Sequence, residues 1–374
     1  MKKLMALVLA LAMGLSLVAC GGAPAEGGTP DASEATTDVA FVTDVGNIDD
    51  HSFNQYSYEG VTKFCEANGL KANYYRPSED SDPARLDAME TAINDGAKAV
   101  VMAGFLFGPS LRQAQEKYPD VQFLALDVSS FDMTDKDENG APVGDPVINA
   151  NTALITYKEE QAGYLAGYAA VAGGYTDLGF LGGMAVPAVV RYGQGFVQGA
   201  DAAAKELGTT ANIKYWYSGS FVPTDDIKAK MDGWYADGTK AVFACGGGIY
   251  SSAVDAAVAN DGKVIGVDVD QSSFSDAIIT SATKGLSESV QLALADCMAN
   301  SWKWSDKFAA KETTLGAAEN AVSLPMANTK IAGFDQAKYD AMFAGMVDGS
   351  IVVDNNSAAD AKFAVTTVTV DYQE

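Results

Sequence analysis

From residue 38 onward, short apolar, β-branched runs alternate with amphipathic stretches of helical period, and this pattern constrains the fold more than any other feature. DVAFVTDV (38–45), ANYY (72–75), AVVMAG (99–104) and VQFLALD (121–127) read as strands. Residues 52–68, 83–95 and 109–117 read as the intervening helices, the first closed by Gly69 and the second opened by Pro83 and followed by Gly96. Strand–helix units in tandem predict a parallel, doubly wound sheet. The cycle restarts with strands at 148–155, 178–181, 213–217, 241–245 and 264–267, separated by helices at 159–172, 188–207, 224–236 and 251–260. Two similar α/β halves are expected, with the turnover near 145–155. A strand at 278–281, a helix over 286–302 and a weaker stretch at 313–367 make a long tail, expected to recross between the halves and complete both.

Charge narrows the function. Lys+Arg total 25 against Asp+Glu 49, a formal net charge of −24. A surface this acidic has little capacity to neutralise phosphates, which argues against nucleic acid and against docking on an anionic bilayer. The one histidine, His51, excludes most zinc sites and leaves a Ser-His-Asp mechanism dependent on a single residue flanked by acids. No catalysis and no cofactor are expected.

The N-terminus reads as an export signal. Lys2 and Lys3 precede an apolar run, Leu4 to Val18, that is short for a spanning helix. Leu17-Val18-Ala19-Cys20 resembles the lipobox of bacterial lipoproteins, which implies removal of residues 1–19 and lipidation of Cys20. Residues 20–37, rich in Gly, Pro, Ala and acids, read as a flexible tether. Cys65, Cys245 and Cys297 lie far apart in apolar surroundings and are expected to be buried free thiols. Asp132–Gly144 is a polar insertion; it opens like a calcium loop but carries Pro146 where the bidentate Glu belongs, so a solvated acidic turn is expected.

Open parallel sheets bind ligands beyond the carboxyl ends of their strands. The residues at those ends are Asp44, Gly104-Phe105, Asp127, Gly182-Gly183, Ser218-Gly219, Gly246-Gly247-Gly248 and Asp268, from both halves, so a cleft between lobes is expected. In TDVGNIDDHSFNQ (43–55), Asp44 ends a strand while Phe53 and Asn54 fall in the first turn of the next helix, which Asp50 or Ser52 would cap. A carboxylate, an amide and a ring converge there, and on composition alone a helix staple explains Phe53 equally well. Gly246–Gly248 either bring a ligand close to backbone N–H groups or make a tight turn; the run is neither GxGxxG nor a P-loop. Phe221 faces the cleft from the second half, opposite Phe53, unless it packs under its own loop. Lys284 is either a buried partner of Asp127 or Asp268 or an unremarkable solvated lysine. Gly193, Gly195 and Gly199 lie within a helical pattern and suggest close helix packing.

These segments, together with EEQAGYLAGYAA (159–170), GFLGGM (179–184), GQGFVQGA (193–200), IGVDVDQ (265–271) and TSATKG (280–285), resemble the basic membrane protein family of substrate-binding lipoproteins, the purine-nucleoside receptor group of ABC importers. The resemblance implies a type I periplasmic-binding fold with two Rossmann-like lobes joined by three crossovers. It implies a first lobe over 38–150 completed by about 272–310, and a second over 151–271 completed by about 311–374. It implies a surface-anchored receptor that closes on a purine nucleoside and delivers it to a permease. Phe53 and Phe221 would sandwich the base, with Asp44 and Asn54 on its edge; Asp127, the Gly247 backbone, Asp268 and Lys284 would hold the ribose hydroxyls. Another small polar ligand, such as a sugar or signalling molecule, is the alternative within the same fold, and a nucleoside-processing surface enzyme is the alternative outside it.

Overall fold

A computed structural model describes residues 36–374 apart from 45, 139 and 363. The signal, most of the tether and Cys20 lie outside the described residues. The body begins slightly before residue 38: Thr36 and Thr37 donate their backbone N–H groups to the Asp95 carbonyl, and Thr37 is fully buried.

The first part of the chain runs β1 (Val39–Val42), α1 (Phe53–Asn68), β2 (Ala72–Tyr75), α2 (Asp82–Asn94), β3 (Ala99–Ala103), α3 (Gly108–Lys117) and β4 (Gln122–Leu126). A small exposed hairpin follows, β5 (Asp135–Lys136) and β6 (Pro142–Val143), where the sequence suggested an acidic turn. Then come β7 (Thr152–Tyr157), α4 (Glu159–Ala172), β8 (Asp177–Gly182), α5 (Pro187–Leu207), β9 (Ala211–Tyr217), α6 (Asp225–Ala236), β10 (Ala241–Cys245), α7 (Tyr250–Ala259) and β11 (Lys263–Asp268). The tail holds β12 (Ile278–Lys284), α8 (Leu286–Ala299), β13 (Lys311–Leu315), β14 (Val322–Ser323), α9 (Gln336–Asp348) and β15 (Val368–Tyr372).

The strands form two large sheets. One has the order β13-β7-β4-β3-β1-β2 and is parallel throughout; the other has the order β14-β12-β11-β10-β8-β9-β15 and is parallel except for β14. Strands β1, β3, β4, β7 and β10 are buried along their whole length, which is why they read as unbroken apolar runs and not as alternating ones.

The lobe boundaries differ from the sequence reading in three places. Residues 152–157 belong to the first sheet, because β7 pairs with β4 from Phe123↔Thr152 to Leu126↔Ile155. Residues 311–315 also belong to the first sheet, as β13 pairs with β7, whereas 278–284 join the second through β11. The difference has one physical cause: a strand and the helix after it need not share a lobe. β7 leads into α4, which packs on α5 and β12 of the second lobe, and β12 leads into α8, which packs on α1 of the first.

The crossovers therefore sit at Lys158, Gly285 and Gly316, and they are bonded into one bundle. Lys158 N–H donates to the Leu315 carbonyl, Gly285 N–H to the Ala321 carbonyl, and Ala317 N–H to Gln161 Oε1. Between α4 and α5 the glycines act as the helical pattern suggested. A Cβ on Gly167 would stand 2.0 Å from the Phe196 carbonyl oxygen, and one on Gly199 2.0 Å from that of Tyr164, so only glycine lets these backbones meet. Cys65, Cys245 and Cys297 are free and buried, as expected.

Candidate functional site

The carboxyl ends of both sheets face each other across a cavity of ≈ 480 Å³. All eight residues expected to meet a ligand line it: Asp44, Phe53, Asn54, Asp127, Phe221, Gly247, Asp268 and Lys284.

One end is built from a single stretch. Asp44 follows β1, and its Oδ1 accepts from Gly46 N–H at 2.7 Å and from Asn54 Nδ2 at 3.0 Å. The capping question left open by the sequence is settled by Asp50, whose carboxylate accepts from the N–H groups of Ser52, Asn54 and Gln55. That frees the Ser52 hydroxyl to donate across the cleft to Asp268 Oδ2 at 2.7 Å. Burial pushes the Asp44 carboxyl up to about 6, against the two hydrogen bonds that pull it down.

The other end is assembled from distant segments. Lys284, with a side chain only 3% exposed, places Nζ 2.5 Å from Asp127 Oδ2, 3.5 Å from Glu159 Oε1 and 3.8 Å from Asp268 Oδ1. Arg191 Nε lies 2.7 Å from Glu159 Oε2. Three buried acids thus share two bases, and buried charges persist only when paired in this way. The acids hold the Lys284 ammonium well above its usual range. For Asp127, burial raises the carboxyl and the touching ammonium lowers it, and contact this close keeps the pair ionised. Asp127 (φ 53°) and Asp268 (φ 66°) both adopt the left-handed region that non-glycine residues seldom enter, so the turns after β4 and β11 are bent to aim carboxylates at the lysine.

The rings come from opposite lobes. Phe53 opens α1, and its centroid lies 4.6 Å from Lys284 Nζ, within cation–π reach. Phe221 lies over Gly183 and Gly246, where a Cβ would stand 2.4 Å and 2.9 Å from its ring atoms; the glycines after β8 and β10 therefore make room for this aromatic. The lobes also touch at the rim, where the His51 and Phe274 centroids are 4.4 Å apart and Gln271 Nε2 donates to the His51 carbonyl. His51 is exposed, its ring tilted 39° to that of Phe274, and its backbone N–H donates to Gln55 Oε1.

The sequence reading missed Glu159, Arg191, Tyr192 and the cross-cleft role of Ser52. Glu159 was within reach of the strand-end rule. It lies two residues beyond the true end of β7 at Tyr157, but that strand had been ended at 155. Arg191 and Tyr192 line the cavity from the second turn of α5, and nothing in a helical pattern marks which turn looks into a cleft.

Comparison with known proteins agrees with this geometry. The chain is 28% identical over 286 residues to the ABC transporter nucleoside-binding protein BmpA of Lactococcus lactis, covering 72% of this chain and 75% of that one. It is 26% identical over 288 residues to a protein of Pyrococcus furiosus described as an uncharacterized lipoprotein, covering 74% and 68%. The fold matches the crystal structure of an ABC transporter solute-binding protein from Aeropyrum pernix with a TM-score of 0.70 at 19% identity, over 87% of this chain and 95% of that one. The family model described as ABC transporter substrate-binding protein PnrA-like matches residues 37–341, which takes in every strand of the two large sheets except β15, all three crossovers and every cavity residue named above. Because that match runs through the site as well as the scaffold, the chain belongs to the PnrA-like family of ABC transporter substrate-binding proteins.

Proposed function

We propose that this binding protein captures a purine nucleoside between its lobes and hands it to an ABC permease, while acyl chains on Cys20 hold it at the outer face of the membrane. The observation that carries the ligand reading is the pairing of two half-buried rings from opposite lobes, Phe53 and Phe221, over one cavity with polar ends. A flat base fits between rings, where stacking is worth about 1–3 kcal/mol per base. Asp44 and Asn54 would meet a base edge, with Asp44 Oδ2 as acceptor and Asn54, which donates to Asp44 and Asp50, orienting that carboxylate. Asp127, Asp268 and Lys284 suit vicinal hydroxyls, which both donate and accept. Six acids against three bases line the cavity, which disfavours a phosphorylated ligand and favours an uncharged one.

Calorimetry of the purified protein with inosine, guanosine, adenosine and a panel of sugars tests the ligand. Nucleoside binding that weakens at least tenfold in Phe221→Ala is the expected result; preference for a sugar replaces the nucleoside reading. For the anchor, the support is the Leu17–Cys20 tetrapeptide and the lipoprotein description of the Pyrococcus relative. Among the described residues no helix is long and apolar enough to cross a membrane. Mass spectrometry of the N-terminal peptide should find an acylated Cys20, and Cys20→Ala should release the protein from membranes.

A further inference from the structure

Two polar atoms in the cavity wall are buried without a hydrogen-bond partner. They are the hydroxyl of Tyr192 and Oδ1 of Asp127, both on residues that line the cleft. Tyr192 is only 2% exposed, and its ring stacks edge-on against Phe243, with centroids 5.9 Å apart at 85°, so the side chain is held from behind. Lys284 Nζ lies 5.8 Å from the centroid of the same ring and bonds Asp127, so the ring and that carboxylate flank one ammonium, and burial pushes the Tyr192 phenol well up, which keeps its proton on. A buried polar atom left unmade is costly, and such atoms call for a partner that the protein itself does not supply. Here the two are complementary. Asp127 Oδ1 can only accept, whereas the Tyr192 hydroxyl, kept protonated by burial, can donate. Ligand hydroxyls satisfy both, donating to the aspartate and accepting from the tyrosine.

We infer that Tyr192 is a specificity-determining residue of the cleft, donating its hydroxyl hydrogen to one sugar hydroxyl of the bound nucleoside and so selecting the intact pentose over the analogue deoxygenated at that position. This rests on the nucleoside reading above. A ligand without that hydroxyl leaves the Tyr192 hydroxyl unpaired, and sites built to bond a hydroxyl reject analogues lacking it strongly. Tyr192→Phe removes the donor and keeps the ring against Phe243.

The test is calorimetry of wild type and Tyr192→Phe with inosine and its 2′-, 3′- and 5′-deoxy analogues, alongside thermal melting without ligand. Wild type is expected to bind one deoxy analogue at least about a hundredfold more weakly than inosine. Tyr192→Phe is expected to lose about tenfold on inosine and nothing on that analogue, so the gap narrows about tenfold for one position only. Its ligand-free melting temperature is expected to hold or rise, since an unpaired hydroxyl has gone. Equal losses on all four ligands, or none, overturn the inference while leaving the nucleoside reading intact. Wild type that binds all four equally overturns it even if the variant fails to fold. Wild type that binds none of them overturns both.

Discussion

The two ends of the cavity are built in opposite ways. At the Asp44 end, every polar partner comes from residues 44–55. Asp44 bonds Gly46 and Asn54, and Asp50 bonds Ser52, Asn54 and Gln55. At the Lys284 end, Asp127, Glu159, Asp268 and Lys284 are brought from four segments, two of which adjoin the crossovers at Lys158 and Gly285. The first end is a strand–helix turn that would take much the same shape wherever the strand and helix packed. The second exists only where segments of both sheets meet, because its ion pairs join Asp127 and Glu159 to Asp268 and Lys284.

The comparison breaks most readily at Lys284. Lys284→Met should leave three buried carboxylates served by Arg191 alone and cost about 3–5 kcal/mol, read as a drop in the urea midpoint. Adding Asp127→Asn should recover part of it, whereas a loss under 1 kcal/mol would mean that the cluster behaves like a surface ion pair. At the other end, Asp50→Ala removes the acceptor for three N–H groups and should cost about 1–2 kcal/mol of stability. If Ser52→Ala costs more than Asp50→Ala in the same melt, Asp50 is not the cap.

Asp44 sets a pH dependence. Burial, which favours the neutral form, pushes its carboxyl up to about 6, above the ordinary 3.8. Stability of the ligand-free protein attributable to this group is therefore greatest when it is protonated and falls as pH rises from about 4 through 6. A base edge that donates to the carboxylate needs the charged form, so nucleoside affinity should weaken about tenfold from pH 7 to pH 5. In Asp44→Asn, the pH profile of Kd should flatten over that interval; an unchanged slope would move the titration elsewhere. The smallest effect is expected at the junction of the two ends. Ser52→Ala deletes one hydroxyl bond to Asp268, worth about 0.5–1.5 kcal/mol, and should show as a small drop in melting temperature and a few-fold weaker Kd.

The same division separates what was readable from what was not. Unbroken apolar runs such as AVVMAG (99–104) and VQFLALD (121–127) announced parallel strands because strands buried on both faces have no polar face to show. The strand-end rule then picked Asp44, Asp127, Gly247 and Asp268 without coordinates, and the family resemblance supplied the roles. Glu159 escaped because a two-residue error at the end of β7 moved it off the list of strand ends. The lobe of residues 152–157 was misassigned because pairing is a long-range choice that the strand's own composition does not encode. Tyr192 escaped because facing a cleft and facing a core look alike in a helical pattern.

Alone, the sequence determined the two-lobed α/β plan, the acidic body, the free buried cysteines and the local Asp44–Asn54 turn, since each follows from periodicity, charge or spacing within a dozen or so residues. Only the tertiary structure decided that Lys284 is a buried partner, that Asp50 caps α1 so that Ser52 can reach Asp268, and that the strands 152–157, 278–284 and 311–315 trade lobes. Those outcomes depend on which distant groups meet where water is excluded, and a charge's worth there is set by its neighbours in space and not by its neighbours in the chain.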